Sequence, residues 1–126
     1  MRRFISPART LFTKNGEYYK FDSSGIVIVG ISNDVQKRLG DIVFVDLPDV
    51  NCKIDPNQQI MAVDSVDAAN DIRIPFSGTI CEINKTLEDD PSIVNKDPQG
   101  SGWFIKFIPD NIEDIQNDIN LIDEQI

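Results

Sequence analysis

Between Gly16 and Cys81 no apolar run is longer than four residues before a turn-former or a charge interrupts it. A chain built this way cannot supply the long helices of a bundle; it is set up for short strands joined by tight turns. Glu17-Tyr-Tyr-Lys-Phe21 alternates, Asp22-Ser-Ser-Gly25 carries turn chemistry, and Ile26-Val-Ile-Val29 is β-branched, so the three pieces predict a hairpin. Ser32 to Leu39 changes period. Ser32 can cap, Val35 and Leu39 fall four apart, and Gly40 follows as a stop, which predicts one short helix near 32–39.

Strand character returns at Asp41–Leu47, Gln59–Val63, Ile72–Pro75, Phe76–Ile83 and Trp103–Ile108, with Gly78 as a bend and Trp103 as a core ring. Asp64 to Asp71 reads as a polar turn, and residues 84–102 as loop with a turn of helix at Pro91–Val94. Short strands separated by turns predict an all-β sandwich or barrel rather than βαβ units. At 126 residues and 40% apolar content the chain can bury one core without disulfides or metal. The tail is of another kind: Asp110 with Glu113 suggests a capping box, and Ile112, Ile115, Ile119, Ile122 and Ile126 recur at spacings of 3 and 4. That stripe predicts an amphipathic C-terminal helix over 110–126, packed on the domain 11–109.

Charge divides the chain into three zones. Residues 1–20 carry +4, residues 21–109 carry −7 and residues 110–126 carry −6, for the net −9. Residues 1–10 hold arginines, hydroxyls and apolar side chains without an acid, the composition of an organellar targeting segment of the mitochondrial type. The acidic body argues against nucleic acid as a partner, and no apolar stretch is long enough for a membrane-spanning helix. Histidine is absent, which removes the commonest general base and metal ligand. Cys52 and Cys81 have no paired-ligand spacing and read as free thiols. Asp64, Asp67 and Asp71 read as a solvated turn rather than a cation site, so no metal site and no catalytic cluster is expected, and the chain is read as a non-enzyme.

An ordered set of short stretches carries a resemblance: Val29-Gly-Ile-Ser32, Leu39-Gly-Asp41, Val43-Phe-Val-Asp-Leu-Pro48, Asp64-Ser-Val66 with Ala68-Ala69, Pro75 with Ser77-Gly78, Asn84 with Leu87, Pro91 with Val94-Asn95, and Asp97-Pro98 leading to Gly100, Gly102 and Trp103. Together they resemble the glycine cleavage system H-protein family, from about Phe12 to Phe107. The resemblance implies a barrel-sandwich hybrid of the lipoyl/biotinyl type: two antiparallel sheets with a helix packed outside. It also implies a hairpin whose apex lysine, in a Glu-Ser-Val-Lys-Ala pattern, carries lipoate. The partners so implied are the pyridoxal-phosphate glycine decarboxylase, aminomethyltransferase and dihydrolipoyl dehydrogenase. Since the lipoyl dithiolane supplies the chemistry, the protein needs no catalytic side chain of its own.

In this sequence the pattern reads Asp64-Ser65-Val66-Asp67-Ala68. A carboxylate cannot form the lipoyl amide, and between Lys53 and Lys85 the only base is Arg73, whose guanidinium stays protonated. The expectation is therefore no lipoate on this chain, and a non-lipoylated relative that binds the partner enzymes of glycine decarboxylation in a mitochondrion or mitochondrion-derived organelle. The alternative is a lipoyl carrier whose lysine was lost through an engineered or allelic change at Asp67.

Overall fold

A computed structural model describes residues 10–118 and 121–123. Strand β1 (Thr10–Phe12) turns into β2 (Glu17–Phe21), which pairs antiparallel with β3 (Val27–Ile31). The turn between β2 and β3 is held by one carboxylate. Asp22 accepts hydrogen bonds from the Ser24 hydroxyl (2.7 Å), the Ser24 N–H (2.8 Å) and the Ile26 N–H (3.0 Å). These bonds, the Ser24 hydroxyl first, hold its pKa below the ordinary aspartate value. Tyr18 stands opposite Gly30 in this hairpin, and a Cβ on Gly30 would lie 2.6–2.7 Å from the ring and hydroxyl of Tyr18. Glycine is needed there because an aromatic ring occupies the space a side chain would take.

Helix α1 (Asn33–Leu39) starts where expected: Ser32 caps it by accepting from the Val35 N–H, and Gly40 ends it at φ +78°. The chain then runs through β4 (Ile42–Asp46), β5 (Lys53–Ile54), β6 (Gln59–Ser65), β7 (Ala69–Arg73), β8 (Gly78–Ile83), the one-turn helices α2 (Thr86–Asp89) and α3 (Ile93–Lys96), β9 (Ile105–Pro109), α4 (Ile112–Gln116) and β10 (Ile122–Asp123). Two antiparallel sheets result, ordered β10-β1-β2-β3-β9-β8-β5 and β4-β6-β7. Their inner faces share one core, with Tyr19, Val29, Val63, Ile80, Phe104, Ile105 and Phe107 fully buried. This is the all-β, two-sheet architecture that the resemblance implies.

The tail differs from its predicted form. Helix α4 spans only Ile112–Gln116, and its cap is Asn111, which accepts from the Glu113 N–H at 3.0 Å, rather than Asp110. Asp110 instead donates its N–H to the Ser77 carbonyl. Ile112 and Ile115 do face the core, as the stripe requires, but Asn117 and Asp118 follow, both weak helix formers. Beyond them the chain pairs as β10 with the open edge of β1, Leu11 opposite Asp123 and Phe12 opposite Ile122. Ladder hydrogen bonds on an otherwise unpaired edge outweigh the marginal stability of a short helix. Ile119 and Ile126 lie outside the described residues, as do residues 1–9 of the basic head.

Three smaller differences have local causes. Trp103 is only half-buried, with the Lys106 ammonium 4.9 Å from its ring centroid, and the core ring is its neighbour Phe104. The turn predicted over 64–71 shrinks to three residues, because β6 runs to Ser65 and β7 starts at Ala69. Helix α2 and strands β1 and β5, two to four residues each, are too short to leave a periodic signal.

Candidate functional site

Ser65, Val66, Asp67 and Ala68 form the tip of the β6–β7 hairpin. Ser65 closes it: its N–H donates to the Ala68 carbonyl at 2.8 Å, and its buried hydroxyl both donates to that carbonyl (3.3 Å) and accepts from the Ala68 N–H (3.2 Å). A serine at this place satisfies both ends of the turn with one side chain. Val66 and Asp67 are left at the apex, Val66 with 68% of its surface exposed and Asp67 in solvent. Asp64 lies one strand position back, opposite Ala69 and Phe44. The structure thus brings all five sequence-predicted residues into one projecting hairpin.

The three aspartates of this region do not converge. Asp71 accepts from the Gln59 amide of the neighbouring β6 at 2.9 Å, with Arg73 of its own strand 4.0 Å away. Among the described residues no group of three or more acidic, cysteine or histidine side chains is placed to hold a metal ion. Cys52 and Cys81 are free and half-buried, and burial pushes the Cys81 thiol up, away from the reactive thiolate.

Behind the apex the hairpin is braced by an amide that sequence reasoning left without a role. The Val66 N–H donates to the Asp41 carbonyl (3.1 Å), which ties the tip to the start of β4. That start is in turn fixed by Asn95. Its Oδ1 accepts from the Ile42 N–H, and its Nδ2 donates to the Gln36 Oε1 and to the Gly40 carbonyl, each at 2.9 Å. One side chain from α3 therefore joins the end of α1 to the first residue of β4. In the sequence it stood out only as part of the Val94-Asn95 stretch of the resemblance, with no role attached.

Strand β4 carries a second unforeseen feature. Ile42 pairs with Ser65 and Phe44 with Asp64, so Val43 is an extra residue, a β-bulge. Alternation breaks there, and Val43 and Phe44 both face solvent, each more than half exposed.

On the inner side, β7 lines a cavity of about 270 Å³ with Glu17, Ile31, Val35, Val63, Asn70 and Ile72 among its walls. Burial raises the Glu17 carboxyl above its ordinary value, partly offset by the hydrogen bond from the Thr13 hydroxyl. The Asn70 Nδ2 is buried with no partner among the described residues. Asn15 and Asp71 also line it, so its walls are mixed rather than apolar.

Two antiparallel sheets around one core, with an exposed hairpin tip braced from behind, define a barrel-sandwich hybrid of the kind the resemblance implies. The particular lineage follows from comparison. A family model described as Glycine cleavage H-protein matches residues 10–125, and the chain belongs to that family, a non-enzymatic part of the glycine cleavage system. It is 44% identical over 110 residues to the glycine cleavage system H protein of Psychrobacter cryohalolentis, covering 87% of each chain. It is 42% identical over 110 residues to that of Acinetobacter baumannii strain SDF, covering 87% of this chain and 88% of the relative. A crystal structure of a glycine cleavage system H protein from Mycobacterium marinum superposes with a TM-score of 0.78 at 30% identity, covering 95% of this chain and 93% of that one.

Proposed function

We propose that this chain acts as a non-lipoylated H-protein that binds the enzymes of glycine decarboxylation without carrying their intermediate. The observation that carries the reading is the side chain at the hairpin tip: Asp67, a carboxylate, where the family resemblance calls for a primary amine. Lysines elsewhere do not substitute for it, since Lys53 lies on β5 and Lys85 immediately precedes α2. The intact hairpin, closed by Ser65 and tied to Asp41, supports retention of a partner-facing surface. The partners proposed are the pyridoxal-phosphate decarboxylase, aminomethyltransferase and dihydrolipoyl dehydrogenase.

Intact-mass measurement after co-expression with a lipoyl ligase tests the modification half of this reading. The chain as it stands is expected to gain no lipoyl mass, and Asp67→Lys is expected to gain one. Lipoyl mass on the unaltered chain overturns the proposal. An unmodified Asp67→Lys variant shows that the tip has also lost ligase recognition, which counts against recent loss of a working carrier lysine. For location, we propose import into a mitochondrion or related organelle. Support comes from the basic, acid-free composition of residues 1–10; the relatives named above are bacterial. A fluorescent reporter fused behind residues 1–14 is expected to enter the organelle, and diffuse cytosolic signal refutes that.

A further inference from the structure

The β6–β7 tip is fixed before any partner arrives. Across its base Ser65 and Ala68 exchange three hydrogen bonds, of 2.8, 3.2 and 3.3 Å. Behind it the Val66 N–H donates to the Asp41 carbonyl at 3.1 Å. Asp41 is itself clamped from both sides by one side chain: Asn95 accepts from the Ile42 N–H and donates to the Gly40 carbonyl, each at 2.9 Å. A residue whose two neighbours are held this way cannot swing, so the carbonyl that anchors the tip keeps its direction. A loop already ordered in its exposed form loses little conformational entropy when something docks on it.

What this ordered tip presents is chemically inert. Val66, 68% exposed, has no functional group, and the Asp67 carboxylate stands in solvent one methylene from the backbone. It has no sulfur to exchange electrons and no amine to hold a carrier arm. The two thiols of the sequence do not supply one, because Cys52 borders β5 and Cys81 lies on β8, strands of the other sheet. A carboxylate is also not drawn into a narrow active-site channel without a partner for its charge. The tip therefore halts at the entrance of an enzyme built to receive an arm, and small substrates beyond that entrance are left alone.

We propose that this chain is a dead-end competitor of an arm-bearing H-protein. It seats its rigid tip where the carrier's tip would sit, excludes the carrier, and leaves unchanged, so that glycine decarboxylation slows as the ratio of this chain to carrier rises. This assignment rests on the partner-binding reading above and adds what the binding does: it regulates by mass action. The clamp at Asn95 is what lets a chain without an arm hold the carrier's seat, since a loose tip would have to be ordered anew at each encounter.

The test is steady-state glycine decarboxylation by a pyridoxal-phosphate decarboxylase with its own lipoylated H-protein, the carrier being varied at several fixed concentrations of this full chain. Calorimetric titration of the chain on the same enzyme gives its Kd, and both measurements are repeated with aminomethyltransferase and dihydrolipoyl dehydrogenase. The apparent KM for the carrier is expected to rise about tenfold when the chain stands at ten times its Kd, with kcat and the KM for glycine unchanged. Asn95→Ala, assayed well below its melting temperature, is expected to raise the inhibition constant several-fold. Gly30→Ala, which strains the other sheet against Tyr18, is expected to leave it within about twofold of the parent. Binding by calorimetry with no change in the carrier's KM overturns competition while the partner-binding reading stands. A fall in kcat at saturating carrier overturns it too, because the chain then acts away from the carrier's seat. Equal inhibition by the parent and Asn95→Ala, or equal weakening by both variants, overturns the part given to the clamped tip. A chain that binds none of the three enzymes overturns both proposals together.

Discussion

Replacing Asn95 by alanine removes, in one step, the amide that holds the hairpin's foundation. Three hydrogen bonds are lost: from the Ile42 N–H, to the Gly40 carbonyl and to the Gln36 Oε1, each at 2.9 Å. A net hydrogen bond contributes about 1 kcal/mol, and orphaned buried groups cost about 1–3 kcal/mol more. Asn95 is half-buried, so water recovers part of this at the Gly40 carbonyl, which leaves an expected loss of about 2–3 kcal/mol. For a domain of this size that lowers the melting temperature by roughly 6–15 °C. The measurement is urea and thermal unfolding, with Asn95→Asp alongside. The aspartate keeps the acceptor for the Ile42 N–H but has no donor for Gly40 and Gln36, so it is expected to recover only a minor part of the loss. A stability within about 0.5 kcal/mol of the parent for Asn95→Ala would refute the bracing argument, since surface substitutions away from such networks fall in that range.

Two further outcomes are open to direct measurement. Gly30→Ala forces a Cβ to within 2.7 Å of the Tyr18 ring, which is buried and pinned by its hydroxyl donating to the Pro98 carbonyl at 2.8 Å, so the ring cannot yield. Denaturant unfolding is expected to show a loss of about 1–3 kcal/mol, the range for overpacked cores, and a neutral result would mean that the ring moves. Glu17→Gln tests the cavity carboxyl through pH. Its folded-state pKa lies above the ordinary value of 4.5, so the native state binds its proton more tightly than the unfolded chain and loses stability as pH rises through and beyond that value. The glutamine variant is therefore expected to gain on the parent between pH 4 and pH 7 in denaturant midpoints, and a constant offset across that window contradicts the assignment.

How much of this was legible from residues alone depended on whether a feature is local. The β2–β3 hairpin and α1 follow from Asp22, Gly25, Ser32 and Gly40, whose turn and cap chemistry acts within four residues, and each sits where that chemistry requires. The hairpin tip was equally local, because Ser65 and Ala68 bond to each other. The tail failed because a periodic stripe is silent about a competing edge: β1 lies about 110 residues earlier, and its open side decided the matter. The Val43 bulge and the triple role of Asn95 were invisible for the same reason. A bulge is defined only against the partner strand, and Asn95 joins groups 53 to 59 positions away. Trp103 was misplaced by one residue, since size favours burial but only the β3 pairing determines which of two adjacent rings faces inward.

The seven-stranded sheet has its first strand flanked by its last. Because β1 lies between β2 and β10, residues 10–12 of a chain emerging from a ribosome wait for residues 122–123 before that edge is closed. Vectorial emergence therefore yields a nearly complete sheet with one unsealed margin until residues 122–123 arrive, and a chain cut before Ile122 would keep the same margin open in the folded molecule.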